Sequence, residues 1–97
     1  MPNRLNTLAK AAAEFYEVPF EKLRSPCREA VCTKPRHTCQ WIAADAGYKK
    51  SDIARYWKLD RTAVYYGVKI VSERIRSSTY EAAELRRFLT HIKKHIT

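Results

Sequence analysis

Residues 51–75 read SDIARYWKLDRTAVYYGVKIVSERI, a short amphipathic stretch followed closely by a longer one. Ser51 and Asp60 are residue types that cap helix N-termini, so a helix is predicted after each of them. Only Lys58 and Leu59 separate the two predicted helices, which leaves room for a sharp turn and nothing more. A short helix, a tight turn and a longer helix together form the helix-turn-helix pattern.

The longer of these two helices is predicted to have one buried and one outward face. At 100° per residue, one stripe contains the apolar residues Val64, Val68, Val71 and Ile75. The opposite face contains Thr62, Tyr66, Lys69 and Glu73. In a DNA-binding helix-turn-helix such a face enters the major groove. Two-helix turns are also common in all-α proteins, so a solvated helix face is the alternative interpretation.

Helical periodicity extends to both ends of the chain. The apolar residues from Leu5 to Tyr16 repeat at three-to-four spacing, and Val18 before Pro19 is predicted to end this helix. Phe20 and Leu23 are predicted to form a short turn packed under it.

The second helical stretch, over residues 28–46, contains a proline. Pro35 is tolerated near a first helical turn, so residues 28–32 are predicted to be a loop or a separate turn. Its buried face is predicted to consist of Cys39, Ile42, Ala43 and Ala46. Gly47 is the predicted C-terminal stop. A last helix starts near Thr79, and the chain is predicted to be one all-α domain over residues 1–97, a helix-turn-helix bundle of about five helices.

The chain is basic, with 19 Lys and Arg against 10 Asp and Glu, a net charge of +9. Residues 25–76 carry +6 of it, dispersed among apolar residues, as expected for a folded surface. Nucleic acid, an anionic membrane and an acidic protein are the candidate partners. No apolar run reaches the ~18–20 residues of a membrane span, and no signal sequence is recognisable, so no membrane association is expected.

Several function classes are excluded on composition. Two isolated glycines, Gly47 and Gly67, cannot form a phosphate-binding loop, so no nucleotide is expected as a ligand. We find no catalytic triad and no paired carboxylates in an apolar setting, so neither an enzyme nor a cofactor is expected. The odd number of cysteines, without a C-x-x-C pair, argues against a disulfide framework and for a reducing, cytoplasmic location.

Two side-chain groups suggest a metal site. The first comprises Cys27, Cys32, His37 and Cys39, whose spacing does not fit paired zinc ligands, so buried or inert thiols are the preferred interpretation. The second, His91 and His95, lies four residues apart on the last helix without an obvious third ligand. We therefore expect no metal.

The sequence blocks LRSPCR at residues 23–28, KPRH at 34–37 and WKLDRTAV at 57–64 occur in order, with Ile53 before the last block. Together they resemble the C-terminal DNA-binding domain (domain IV) of the bacterial replication initiator DnaA. That family reads approximately L-x-S-x-x-R, then P-R-Q, then I-G-x-x-F-G-x-R-D-H-T-T-V. The resemblance covers about residues 5–76 and implies a Trp-repressor-like helix-turn-helix fold that binds double-stranded DNA.

The resemblance also implies roles for individual residues. Base contacts are assigned to Arg28 in the minor groove and, in the major groove, to Asp60, Arg61 and Thr62. Phosphate contacts are assigned to Arg36, His37, Lys69 and Tyr66. The chemistry agrees, because arginine suits a narrow minor groove and its fork matches guanine O6 and N7. Two alternatives stay open: Asp60 as a helix cap alone, and Arg61 as a phosphate clamp alone.

The chain departs from the family pattern at several reading positions. Arg61 stands in place of the signature histidine and Ala63 in place of the second threonine. His37 replaces the glutamine after Pro-Arg, and Tyr66 replaces a later histidine. The turn is one residue shorter and lacks the family's glycines. These changes predict an altered base preference rather than a loss of binding.

The expected function is therefore sequence-preferring binding of double-stranded DNA by a monomer. Its role would be regulation of transcription or of replication initiation, in the cytoplasm and on the nucleoid, and a phage or mobile element is one expected source. Met1 and Thr97 suggest a complete small protein, with an excised domain as the alternative. The alternative function is a protein-interaction module that keeps the fold without reading DNA and uses exposed aromatics such as Trp41 and Tyr48.

Overall fold

The computed structural model describes residues 4–96, with the last two of these as backbone only. It contains six helices: α1 (Arg4–Phe15), α2 (Phe20–Arg24), α3 (Ala30–Asp45), α4 (Lys50–Trp57), α5 (Arg61–Ser77) and α6 (Thr79–Ile96). The predicted all-α class is confirmed over this range. The structure has one helix more than the predicted five, namely α2, which the sequence predicted only as a turn. Its Leu23 is fully buried, as expected.

The helix α1 ends earlier than its proline suggested. It stops at Phe15, and Glu17 adopts a left-handed conformation with φ of 56°. The Val18 amide then donates to the Ala13 carbonyl at 2.9 Å, which closes the end of the helix before Pro19. The chain is thereby turned back for α2 to pack against α1.

The helix α3 contains Pro35 in its interior, which corrects the predicted loop at residues 28–32. The helix begins at Ala30, and the amides of Cys32 and Thr33 both donate to the Glu29 carbonyl at 2.9 Å. Pro35 lies close enough to this start that its missing N–H removes only an early bond of the ladder. Its ring is buried, and that burial favours keeping the helix continuous.

The helices α4 and α5 form the predicted helix-turn-helix. The α4 helix begins at Lys50, so Ser51 lies inside it and is not the cap that the sequence predicted. The α4 helix ends with Lys58 in the left-handed region, at φ of 58°, which lets the chain reverse within three residues. Asp60 is confirmed as the N-cap of α5, because its side chain accepts from the Ala63 amide.

The core forms around α3, which packs against α1, α2, α4 and α5. Gly67 of α5 faces His37 and Gln40 of α3 so closely that a Cβ there would lie 2.9 Å from His37 Cδ2. The helix α6 completes the bundle by inserting Phe88 against Phe15 and Tyr16, with ring centroids 5.1 and 5.4 Å apart. Of the predicted α3 core residues, Cys39 and Ala43 are buried, whereas Ala46 is exposed beside the Gly47 stop.

Within residues 4–96, none of the helices combines the length and the apolar character that crossing a membrane requires.

Candidate nucleic-acid interface

The N-terminal end of α5 is an exposed, capped helix start. Asp60 Oδ1 accepts a hydrogen bond from the Ala63 amide at 2.9 Å. Arg61 and Thr62, which follow the cap, are exposed, while Val64 one turn on is fully buried. The cap therefore fixes the start of the helix, and the core anchor directs the next two side chains outward.

The outward face of α5 is polar and aromatic, as its periodicity predicted. Tyr65 and Tyr66 are 57% and 59% exposed, and Lys69 is exposed one turn further. From the start of α4, the Lys50 ammonium lies 5.0 Å from the centre of the Tyr65 ring. The two helices of the turn thus present a continuous surface on which a cation and a phenol are held together.

The loop that carries Arg28 connects α2 to α3 and is held at its start. Ser25 Oγ donates to the Lys22 carbonyl at 2.6 Å. Arg36 Nη2 donates to the carbonyls of Leu23 and Ser25 at 3.1 and 2.9 Å. Arg28 itself is exposed. The bonds that anchor the start of this loop do not involve Arg28, so its guanidinium stays exposed.

This loop and the helix-turn-helix lie side by side. They share a pocket of about 220 Å³ lined by Arg24, Ser25, Pro26, Arg36, Trp57, Lys58 and Leu59. The guanidinium of Arg24 stacks on the Tyr56 ring and donates to the Tyr56 carbonyl at 2.6 Å. The end of α2 is thereby fixed to the end of α4, so the start of the loop that carries Arg28 lies beside the turn between α4 and α5.

Arg36 lines the shared pocket, but most of its side chain is buried. Its Nε and Nη2 donate to the Leu23 and Ser25 carbonyls. These bonds give Arg36 a structural role, and its predicted phosphate contact stays a prediction. Arg36 positions the loop from within.

His37 is half-buried between α3 and α5, beside the ring of Tyr66 at 6.2 Å between centroids. Burial, and then the charges of Arg74 and Arg36, lower the pKa of His37 below its ordinary value of 6.5. The imidazole is therefore neutral at pH 7 and brings no positive charge to a phosphate. Its contact with Tyr66 and with the α5 backbone at Gly67 indicates a packing role.

Cations predominate on the exposed surface around the turn: Arg28, Lys49, Lys58, Arg61 and Lys69 are all exposed. Two nearby carboxylates are engaged elsewhere, since Glu29 pairs with Lys22 at 3.7 Å and Asp52 with Arg55 at 3.4 Å. The surface thus concentrates positive charge where the sequence located the excess, which favours an anionic ligand.

The sequence did not identify Arg24 or Lys50 as parts of this surface. Arg24 acts on a residue 32 positions away, and no local pattern signals that contact. Lys50 was expected to precede its helix, whereas it opens α4 and stands over Tyr65. The only signal in the sequence that Lys50 belongs to this surface was that Lys49, Lys50 and Tyr65 lie in a basic stretch.

The cysteine and histidine groups do not converge. Cys39 is buried, with its Sγ 4.0 Å from the Leu8 carbonyl, and burial raises the pKa of its thiol. Burial and the neighbouring Cys27 thiol raise the pKa of Cys32. In the described part of the chain, no three metal-ligating side chains cluster together. The His91 ring lies 5.5 Å from Phe15, while the side chain of His95 lies outside the described residues.

The aromatics of the protein-interaction alternative are not on the open surface. Trp41 is half-buried, and its indole N–H donates to Ser72 Oγ at 3.1 Å. Tyr48 is also half-buried. The exposed aromatics include Tyr65 and Tyr66, and these belong to the basic surface of α5.

In comparisons with known proteins, no protein-family model matches the chain, and no curated protein matches it either.

Proposed function

We propose that this chain binds double-stranded DNA with a sequence preference, using α5 and the loop between α2 and α3. The observation that carries the proposal is the pocket that brings the start of the Arg28 loop, at Ser25 and Pro26, beside the turn that leads into α5, at Lys58 and Leu59, with Arg24 held against Tyr56. The similarity of its sequence blocks to domain IV of DnaA supports the same assignment.

In the proposed complex, α5 enters the major groove with its N-terminal end. Arg61 and Thr62 face base edges, and the arginine fork suits guanine O6 and N7. Asp60 caps the helix through one oxygen, and a carboxylate there can accept from cytosine N4. Arg28 on its anchored loop enters the adjacent minor groove, where a narrow groove attracts arginine.

Phosphate contacts position the protein and supply most of the affinity. We assign them to Lys69 and Tyr66 on α5 and add Lys50 at the start of α4, since all three lie on one surface with Tyr65. We leave Arg36 out of this set because its side chain is buried and its Nε and Nη2 already donate to backbone carbonyls. We leave His37 out because it is half-buried and its pKa is lowered.

The biological role that fits this binding is regulation of transcription or of replication initiation. The protein would work in the cytoplasm on the nucleoid, as a monomer on a short asymmetric site. No nucleotide or other cofactor enters the proposal. Competition for initiator sites or control of a promoter would both follow from occupancy of a preferred sequence, and a phage or mobile element is the source we propose.

The proposal is tested by fluorescence anisotropy with a labelled mixed-sequence duplex and a single strand of equal length. We expect duplex binding whose log K falls against log salt with a slope of roughly −5, as for five or six neutralised phosphates. Arg61→Ala should weaken duplex binding, and Lys10→Ala, on α1, is the matched control that should not.

Binding that ignores salt, or equal affinity for the Arg61→Ala variant, would overturn the proposal. Failure to bind any duplex, with capture of an acidic protein retained after Arg28 and Arg61 are both changed to alanine, would favour the protein-interaction alternative instead.

A further inference from the structure

The exposed side of α6 is a second cationic surface, separate from the turn. Four cations, Arg86, Arg87, Lys93 and Lys94, lie on α6, and all four are exposed. At 100° per residue they fall within an arc of about 120°, with Thr90 near its centre. We call this set the α6 basic face.

The acidic residues of α6 lie on its other side and are already engaged. Lys34 of α3 pairs with Glu81 at 3.2 Å and with Glu84 at 3.0 Å. Among residues 4–96, no carboxylate lies within ion-pair distance of Arg86 or Arg87, and the same holds for Lys94. The α6 basic face therefore has positive charge that these carboxylates do not neutralise.

A basic amphipathic helix can lie on a membrane only if its apolar side is available to enter the lipid. In α6 that side is taken up by the core, because Phe88 is fully buried and Leu85 and Ile92 are each 8% exposed. What remains available is a polar, cationic surface with one exposed aromatic residue, Tyr80, at its edge in the first turn of α6. Such a surface fits a ligand that offers closely spaced negative charge, and duplex DNA carries one phosphate per ~1.7 Å of helix axis.

The α6 basic face is not an extension of the surface at the turn. The helix α6 packs on α1 and α5, and the side bearing Glu84 faces α3, so the basic face points away from α3. The helix-turn-helix packs on α3 and opens at the start of α5.

We propose that the α6 basic face binds the phosphate backbone of a second duplex segment, so that one protein molecule joins two stretches of DNA. This inference rests on the proposed function for the first DNA segment. The contact between the α6 basic face and a second segment is a separate proposal. We expect the second contact to be independent of DNA sequence. The α6 basic face contains neither an exposed helix start nor a loop that could enter a groove and reach base edges.

The test is a bridging assay in which a bead-bound duplex captures a free fluorescent duplex through the protein. The variant R86Q/R87Q/K94Q removes three charges from the α6 basic face, and glutamine keeps the helix propensity. The control variant R4Q/K10Q/K22Q removes three exposed charges elsewhere. We expect wild type and control to bridge, and the α6 variant to lose bridging while its affinity for a single duplex changes no more than that of the control. Thermal unfolding followed by circular dichroism verifies that all three fold.

Bridging that survives in the α6 variant, or a wild type that binds one duplex and never bridges, would overturn the inference. The variant R28A/R61A distinguishes failure of the proposed function from failure of this inference. If the turn does not bind DNA but the α6 basic face does, R28A/R61A and wild type should show the same weak, salt-dependent duplex binding. The α6 substitutions should then remove that binding. Vesicles with anionic phospholipid and polyglutamate are run in parallel. Binding to either that depends on the α6 basic face, with duplex bridging unaffected by the α6 substitutions, would assign the face to that ligand and contradict ours.

Discussion

The guanidinium of Arg24 lies 3.9 Å from the centre of the Tyr56 ring and donates a hydrogen bond to the Tyr56 carbonyl at 2.6 Å. This contact fixes the end of α2, and with it the start of the Arg28 loop, to the last turn of α4. The distance between the two parts that we propose to face DNA therefore depends on one arginine that need not touch DNA.

Replacing Arg24 with alanine should lower the free energy of unfolding by about 2 kcal/mol, because a charged hydrogen bond and a cation–π contact are both lost. Arg24→Lys should recover only part of it, since an ammonium cannot stack and donate in the same geometry. Urea unfolding measures the change, and duplex affinity should fall in parallel. A variant as stable as wild type would contradict the coupling.

Asp60 should be worth about 0.5–2 kcal/mol of stability as the N-cap of α5. Asp60→Ala removes the acceptor for the Ala63 amide and should show this loss in thermal unfolding. Asp60→Asn keeps an acceptor and should stay within a few tenths of a kcal/mol of wild type. If alanine and asparagine were equally stable, the cap would carry no energy.

Gly67→Ala should destabilise the protein although alanine is the better helix former. The added Cβ would lie 2.9 Å from His37 Cδ2 and also against the Gln40 side chain, which is fully buried and has no open space to enter. Overpacking of about 1–3 kcal/mol outweighs a propensity gain of about 1 kcal/mol. A double-mutant cycle with Gln40→Ala should show favourable coupling, and additivity of the two changes would contradict the close contact.

Stability should fall as the pH is lowered through the titration of His37. Its pKa is lowered in the folded state, first by burial and then by Arg74 and Arg36, so the unfolded chain binds the proton more readily. The stability that neutral His37 contributes is fully present above 6.5, its pKa in the unfolded chain, and is lost as the pH falls through the lower pKa of the folded protein. Unfolding measured between about pH 5 and 7 should therefore show a steeper pH dependence for wild type than for His37→Gln. Equal dependences would exclude this role.

Features encoded by adjacent residues could be predicted from the sequence. The Asp60 cap, the buried Val64 stripe and the turn at Lys58 all depend on residue type and local spacing, and the structure has each of them. The exposure of Thr62 and Lys69 followed from the same period. Helix periodicity is sufficient for these because the helix itself sets which side faces the core.

Features that depend on distant contacts could not be predicted. Pro35 stays within α3 because its ring is buried, and Arg36 turns inward because the Leu23 and Ser25 carbonyls meet it there. The N-cap of α4 is Lys49, which makes no side-chain cap hydrogen bond. The prediction that relied on the good capping residue Ser51 was therefore wrong by two positions. For Pro35 and Arg36, tertiary packing overrode a local preference.

Selection of bound duplexes from a random pool at about physiological salt is the measurement that tests sequence-preferring DNA binding most directly. Wild type should enrich one short asymmetric motif, Arg28→Ala and Arg61→Ala should each relax a different part of it, and Lys69→Ala should enrich the same motif with lower affinity. A pool without any enriched motif, or an unchanged motif from both arginine variants, would contradict the account.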